Sequence, residues 1–216
     1  MLVEARESLP EVHLSFIEEM SYVLIDAVER EELDLALASE VAESPNLIRL
    51  PVLDEEMLLV SGPGLPGLDA APIPFAEVLQ RPLVLAGERD AVRQLVASAA
   101  ARMALPLDIA FEASSIGMMK DAIGSGAACG VMPYGSVVQE IRAGQLTGRR
   151  IAEPQLRRTL YLVRPARRAA FRNETAILAF AQKELRKLAE RLGPLARTLP
   201  ALDTLGQARR ATSARG

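Results

Sequence analysis

Apolar and polar positions change period several times along the chain, and each change predicts an element. Val12 to Glu18 alternates apolar and polar residues, the signature of a half-buried strand, with His13 on its polar side. Ser21 follows as a helix-capping residue, and Val23, Leu24, Ala27 and Val28 recur at helical spacing up to Arg30. Leu33 to Ala38 is a short apolar run of the buried-strand kind. Leu47 to Val52 and Glu56 to Val60 read as two further strands, the first placed at an edge by Pro51. The Gly- and Pro-rich stretch Ser61 to Pro74 is a loop.

Beyond it the alternation resumes. Helices are expected at Phe75–Leu79, Asp90–Met103, Ser115–Ser125, Ser136–Ala143 and Thr175–Leu192. Strands are expected at Pro82–Leu85, Leu107–Ala113, Gly130–Met132, Thr147–Ile151 and Thr159–Arg164. Strands alternating with helices predict an α/β fold built on parallel sheets, in two Rossmann-like lobes joined by crossover strands. The expected division is residues 1–58 with 161–192 for lobe I and 59–160 for lobe II, with 193–216 as a disordered tail. In such folds ligands sit at the carboxyl ends of strands, against helix N-termini, so a cleft between the lobes is the expected site.

Composition narrows the chemistry. Half of the 216 residues are apolar and a quarter are charged, as in globular proteins; one Cys and one His exclude a disulfide framework and a Cys-based structural zinc site. No apolar run is long enough for a membrane span, and no signal peptide is recognisable, so a cytoplasmic protein is expected. The net charge of −3 divides into −14 over residues 1–148 and +11 over residues 149–216. The basic residues are spread rather than blocked, which favours mutual neutralisation over a nucleic-acid surface.

No hydrolase, metalloprotease, Walker or kinase motif is present, and no cofactor is expected. Gly124, Gly126 and Gly130 lie after a helix and before a strand, the wrong order for a dinucleotide fingerprint; they read as a helix C-cap and a close helix–strand contact. Cys129 reads as a packing residue. Glu55 and Glu56 are adjacent on a strand, so they point to opposite faces and cannot share a site. What remains is a set of junctions before helices: Glu19–Tyr22, Gly87–Asp90, Ala113–Ile116 and Pro133–Ser136. Converging on one cleft, their hydroxyls and helix N-termini suit a small anion or carboxylate.

These residues carry a resemblance. The run from Glu19-Met20-Ser21 through VEREELDLALA and LIRLPVLDEEMLLV resembles the effector-binding domain of LysR-type transcriptional regulators. Glu31 stands where that family usually has Gly. AIGSGAACGVMP, from Ala122 to Pro133, resembles the family's helix–Gly–strand–Pro pattern, and Leu83–Ser136 is similar to nitrogen-assimilation-control-type members. The resemblance covers about residues 9–190 and implies a non-enzymatic, effector-sensing and oligomerisation domain with a type 2 periplasmic-binding-protein-like fold. It implies Ser21, Arg89, Ser114, Ser115, Pro133 and Tyr134 as effector contacts, no metal, and a homodimer or homotetramer. It also implies that this chain starts beyond the family's helix-turn-helix and beyond the first strand of lobe I, and that DNA is met only through that N-terminal module. A solute-binding protein of the same fold, taking a small carboxylate, is the alternative. A prephenate-dehydratase-like enzyme is a third reading, and it would need acid/base support that the sequence does not offer.

Overall fold

A computed structural model describes residues 2–167 and 173–205. The fold is mixed α/β, and its contacts divide it into two compact units. Unit 1 comprises residues 1–54 and 159–216, and unit 2 residues 55–158.

Unit 2 is built around strands β4 (Leu83–Leu85), β5 (Ile109–Glu112) and β6 (Cys129–Pro133). Parallel pairing sets Leu83 opposite both Ile109 and Cys129, so β4 is central. Helices α4 (Ala91–Arg102), α5 (Ile116–Gly124) and α6 (Tyr134–Arg142) follow these strands in turn. The long strand β2 (Leu47–Ser61) enters from unit 1 and pairs antiparallel with β6 on one side and with β7 (Thr147–Ala152) on the other. A two-residue strand β3 (Ile73–Pro74) lies parallel to β7 and leads into the short helix α3 (Phe75–Val78). The core gathers Met57, Phe75, Leu83, Leu85, Val96 and Ile151, all nearly or fully buried.

Gly126 and Gly130 do what their order in the sequence predicts. Gly126 has φ +77°, and its N–H donates to the Ile123 carbonyl while that of Ala127 donates to Ala122, a Schellman ending for α5. A Cβ on Gly130 would stand 2.7 Å from Ile123 Cδ1, so helix and strand approach closely there.

In unit 1, α1 (Leu2–Ser8) and α2 (Ser21–Glu29) precede β1 (Ala36–Ser39), which pairs antiparallel with β8 (Arg157–Pro165). Helix α7 (Glu174–Leu192) follows. A core of Val28, Ala36, Ala38, Val41, Leu47 and Val163 holds α2 against the sheet. Glu4 of α1 pairs with Lys187 of α7, and that hydrogen bond lowers the Glu4 carboxyl from 4.5 to about 2. Because the folded value is depressed, this pair's contribution is complete above about pH 4.5 and is lost as pH falls toward 2. Glu4→Gln is expected to lower stability slightly at pH 7 and to make no difference near pH 2, so that its acid limb is flatter, as read by urea titrations at stepped pH.

The end of α2 explains the departure at Glu31. The Glu31 N–H donates to the Val28 carbonyl and the Glu32 N–H to Ala27, again a Schellman ending, with Glu31 at φ +60°. A side chain is strained in that conformation, and Glu31 is exposed, so nothing else requires it. Glu31→Gly is expected to stabilise the protein by about 0.5–1 kcal/mol in denaturant unfolding.

Three sequence expectations change. Val12 to Glu18 forms no strand: the segment pairs with no neighbour among the described residues, and Phe16 and Ile17 are exposed. The two strands expected around Pro51 are one strand of 15 residues. Proline's fixed φ lies within the extended region, so it removes one donor without breaking the strand. The tail expected from residue 193 is ordered as far as 205: a 3-10 turn (Gly193–Leu195), strand β9 (Ala196–Thr198) paired with β2, and α8 (Pro200–Asp203). Leu195, Leu202 and Leu205 are buried, and this apolar anchoring outweighs the two prolines. Residues 206–216 lie outside the described residues.

Candidate functional site

Each unit carries part of the expected site. In unit 1, Ser21 is the first residue of α2 rather than its cap: Met20 holds the cap position and offers no side-chain hydrogen bond. The Ser21 hydroxyl turns instead to β1. Its Oγ accepts the Ser39 N–H at 3.0 Å and lies 3.0 Å from Ser39 Oγ. The start of α2 is therefore tied to the carboxyl end of β1, while no side chain caps the helix's first turn. A helix end of this kind favours negative charge.

Unit 2 holds the other five candidates, and the structure separates them. Asp90, nearly buried, caps α4 by accepting from the amides of Val92 (2.9 Å) and Arg93 (3.0 Å). That helix end already holds a carboxylate of its own, so its first amides are engaged within the chain. Arg89 is exposed beside it. Ser115 caps α5, its Oγ accepting from the Met118 amide at 3.2 Å, while Ser114 is exposed. Helix α6 begins two residues earlier than its sequence suggests, at Tyr134, with Pro133 as its cap residue. Pro133 is buried and has no side-chain acceptor, so α6 alone of α4, α5 and α6 lacks a side-chain cap. The two helix ends left for an anion are thus those of α2, at Ser21, and α6, at Tyr134.

Sequence reasoning missed the charged cluster on β2. Asp54, Glu55 and Glu56 are all buried, and each has an arginine partner. In unit 1, Arg197 binds Asp54 at 2.7 Å. In unit 2, Arg158 binds Glu55 at 2.5 Å, and Arg150 binds Glu56 through two bonds of 2.8 and 2.9 Å, with Arg157 at 3.7 Å. The Glu56 carboxylate in turn raises the pKa of Arg150 above its ordinary value. The signal was available as three consecutive carboxylates set between the apolar pairs Val52–Leu53 and Met57–Leu58. Their role is structural: every carboxylate is matched by a guanidinium, leaving no general base. Cys129 is buried, and burial pushes its thiol pKa up despite the opposing influence of Arg81, so it is a poor nucleophile. Among the described residues no cluster of metal-ligating side chains forms, and no helix is long and apolar enough to cross a membrane.

The chain belongs to the LysR substrate-binding domain family, whose model matches residues 1–186. It is 27% identical over 180 residues to the HTH-type transcriptional regulator BbuR of Bordetella bronchiseptica, across 83% of this chain and 55% of BbuR. It is 25% identical over 169 residues to the HTH-type transcriptional regulator CysB of Burkholderia cenocepacia, across 74% of this chain and 54% of CysB. The chain thus spans about half the length of these curated relatives. Among solved structures, it is similar to the effector binding domain of QuiR in complex with shikimate (TM-score 0.73, 19% identity, 86% of this chain and 88% of that one). It is also similar to the CcmR regulatory domain of Synechocystis in complex with 2-PG (TM-score 0.70, 20% identity, 90% of each chain). These relatives are regulators, not solute-binding proteins or enzymes.

Proposed function

We propose that this domain senses a small anionic effector for a LysR-type regulator whose DNA-reading module lies outside the 216 residues. On this reading the whole protein acts in the cytoplasm as a homodimer or homotetramer and meets DNA only through that module. The contacts are Ser21 in unit 1 and Arg89, Ser114, Ser115, Pro133 and Tyr134 in unit 2. The observation that carries the proposal is the start of α2, where Ser21 is engaged with Ser39 and no side chain caps the helix. The corresponding feature at Pro133–Tyr134 supports it from unit 2. Asp90 already caps α4, which gives Arg89 a secondary role: its guanidinium attracts the anion without help from a helix end. Within the family, the segment Leu83–Ser136 favours a nitrogen-assimilation-control-like member.

A thermal-shift panel of small hydroxy-, keto- and phospho-carboxylates tests this. A ligand of the folded state raises the melting temperature by an amount that grows with the logarithm of its concentration over Kd. At least one member is expected to do so at millimolar concentration, and Ser21→Ala is expected to weaken it at least tenfold, about 1.4 kcal/mol. Tyr134→Phe keeps the backbone at the start of α6 and is expected to matter less. Retention of full affinity by Ser21→Ala would remove Ser21 from the site.

A further inference from the structure

Residues 193–205 lie beyond residues 1–186, which the family model matches, and the effector reading does not use them. Their sequence folds them back onto unit 1. Gly193, at φ +55°, ends α7 and turns the chain, and Pro194 and Pro200 open the 3-10 turn and α8. Three buried leucines, Leu195, Leu202 and Leu205, anchor the segment. Gln182 of α7 donates to the carbonyls of Leu202 (2.6 Å) and Asp203 (3.1 Å), which closes the end of α8.

What the segment holds is β2. Strand β9 pairs with it, and the Leu199 N–H donates to the Val52 carbonyl at 3.0 Å. Two residues further along β2, the buried Asp54 takes bonds of 2.8 and 2.7 Å from Arg197. Each strand residue's N–H and C=O point the same way, so Val52 and Asp54 both turn their backbone groups toward β9. Asp54 is also the last residue of β2 that belongs to unit 1. The segment thus grips the strand at the place where it leaves that unit. The grip is light for its length. It rests on two short helices with almost no stability of their own, on three leucines, and on an arginine whose side chain is 71% exposed. Against these stands the conformational entropy of every residue from Gly193 to Leu205. A segment held in this way opens at lower cost than the domain as a whole.

We propose that residues 193–205 are a releasable latch on β2. Closed, the latch pairs the strand with β9 and pins Asp54. Open, it leaves Val52 and Asp54 without β9 while the rest of unit 1 stays folded. Strand β2 runs from Leu47 to Ser61 and so belongs to both units, and the latch sets its stiffness at the crossing. Ionic strength is one control, because salt screens an exposed arginine and weakens its pull on Asp54.

The test is amide hydrogen exchange of the full 216-residue chain, read by NMR. Arg197→Gln removes the charge. Leu199→Pro removes the donor N–H at a residue whose φ of −106° is already extended. In both variants, exchange at Val52 and Asp54 is expected to be about tenfold faster than in the parent. Ala38 of β1 and Val84 of β4, each in a paired strand, are expected to keep their parent rates. In the parent, high salt is expected to speed Val52 and Asp54 alone, and Arg197→Gln is expected to lose that response. Equal acceleration at all four amides overturns the proposal, because the segment then opens only with the whole domain. Unchanged exchange at Val52 and Asp54 overturns it as well, since β2 would not depend on the segment. The salt series on the parent needs no variant, so it decides alone if a variant fails to fold. None of these outcomes depends on Ser21 or on an effector.

Discussion

Replacing Arg150 and Arg157 together by alanine is expected to destabilise the protein by about 3 kcal/mol, read as a fall in the urea midpoint at unchanged slope. Glu56 is 1% exposed and accepts both close bonds from Arg150. Without either arginine its charge stays in a site that water barely reaches, and the desolvation is no longer offset. The opposite deletion should behave differently. Glu56→Met puts an apolar chain of similar length among apolar neighbours and frees Arg150, already 40% exposed, to enter water. That variant is expected to lie within about 1 kcal/mol of the parent. Equal losses in the two variants would show that the pair itself, rather than the burial of Glu56, sets the cost.

Phe75→Ala is expected to cost about 3–5 kcal/mol by the same measurement. Phe75 is fully buried at the first turn of α3, and its ring sits in the unit 2 core with Met57, Leu83 and Ile151. A four-residue helix has almost no stability of its own, so α3 is held in place by this ring and Val78. Phe75→Leu, which keeps most of the volume, is expected to recover more than half of the loss.

The two units differ in how much of them the sequence discloses. In unit 2, helices α4 and α5 and strands β4, β6 and β7 fall within a residue or two of their predicted ends, because each apolar run is bounded by a cap, a glycine or a turn. In unit 1, Val12–Glu18 has a strand's alternation but no partner among the described residues, and a strand needs one as well as a pattern. The ordering of residues 193–205 rests on Leu195, Leu202 and Leu205, three apolar residues whose non-local burial leaves no periodic trace.

The candidate site was legible as a set of residue types and less so as geometry. That Glu55 and Glu56 could not share a site follows from strand alternation, and each has its own arginine. That those arginines would come from β7 and β8 was not legible, since nothing local links residues about a hundred positions apart. Ser21 drew notice as a cap and turned out to be a tether between α2 and β1. Asp90, at the expected start of its helix, caps α4 and occupies its first amides.

The carboxylates of β2 also set a timetable for biosynthesis. Glu56, Glu55 and Asp54 leave the ribosome 94, 103 and 143 residues ahead of Arg150, Arg158 and Arg197, the arginines that neutralise them. At about 5–20 residues per second, the wait is on the order of 5–30 s. Through that interval the longest of the described strands carries three negative charges whose arginine partners are not yet made, which discourages it from pairing with another nascent copy. The charges that the finished molecule must neutralise keep β2 soluble until its own partners have been synthesised.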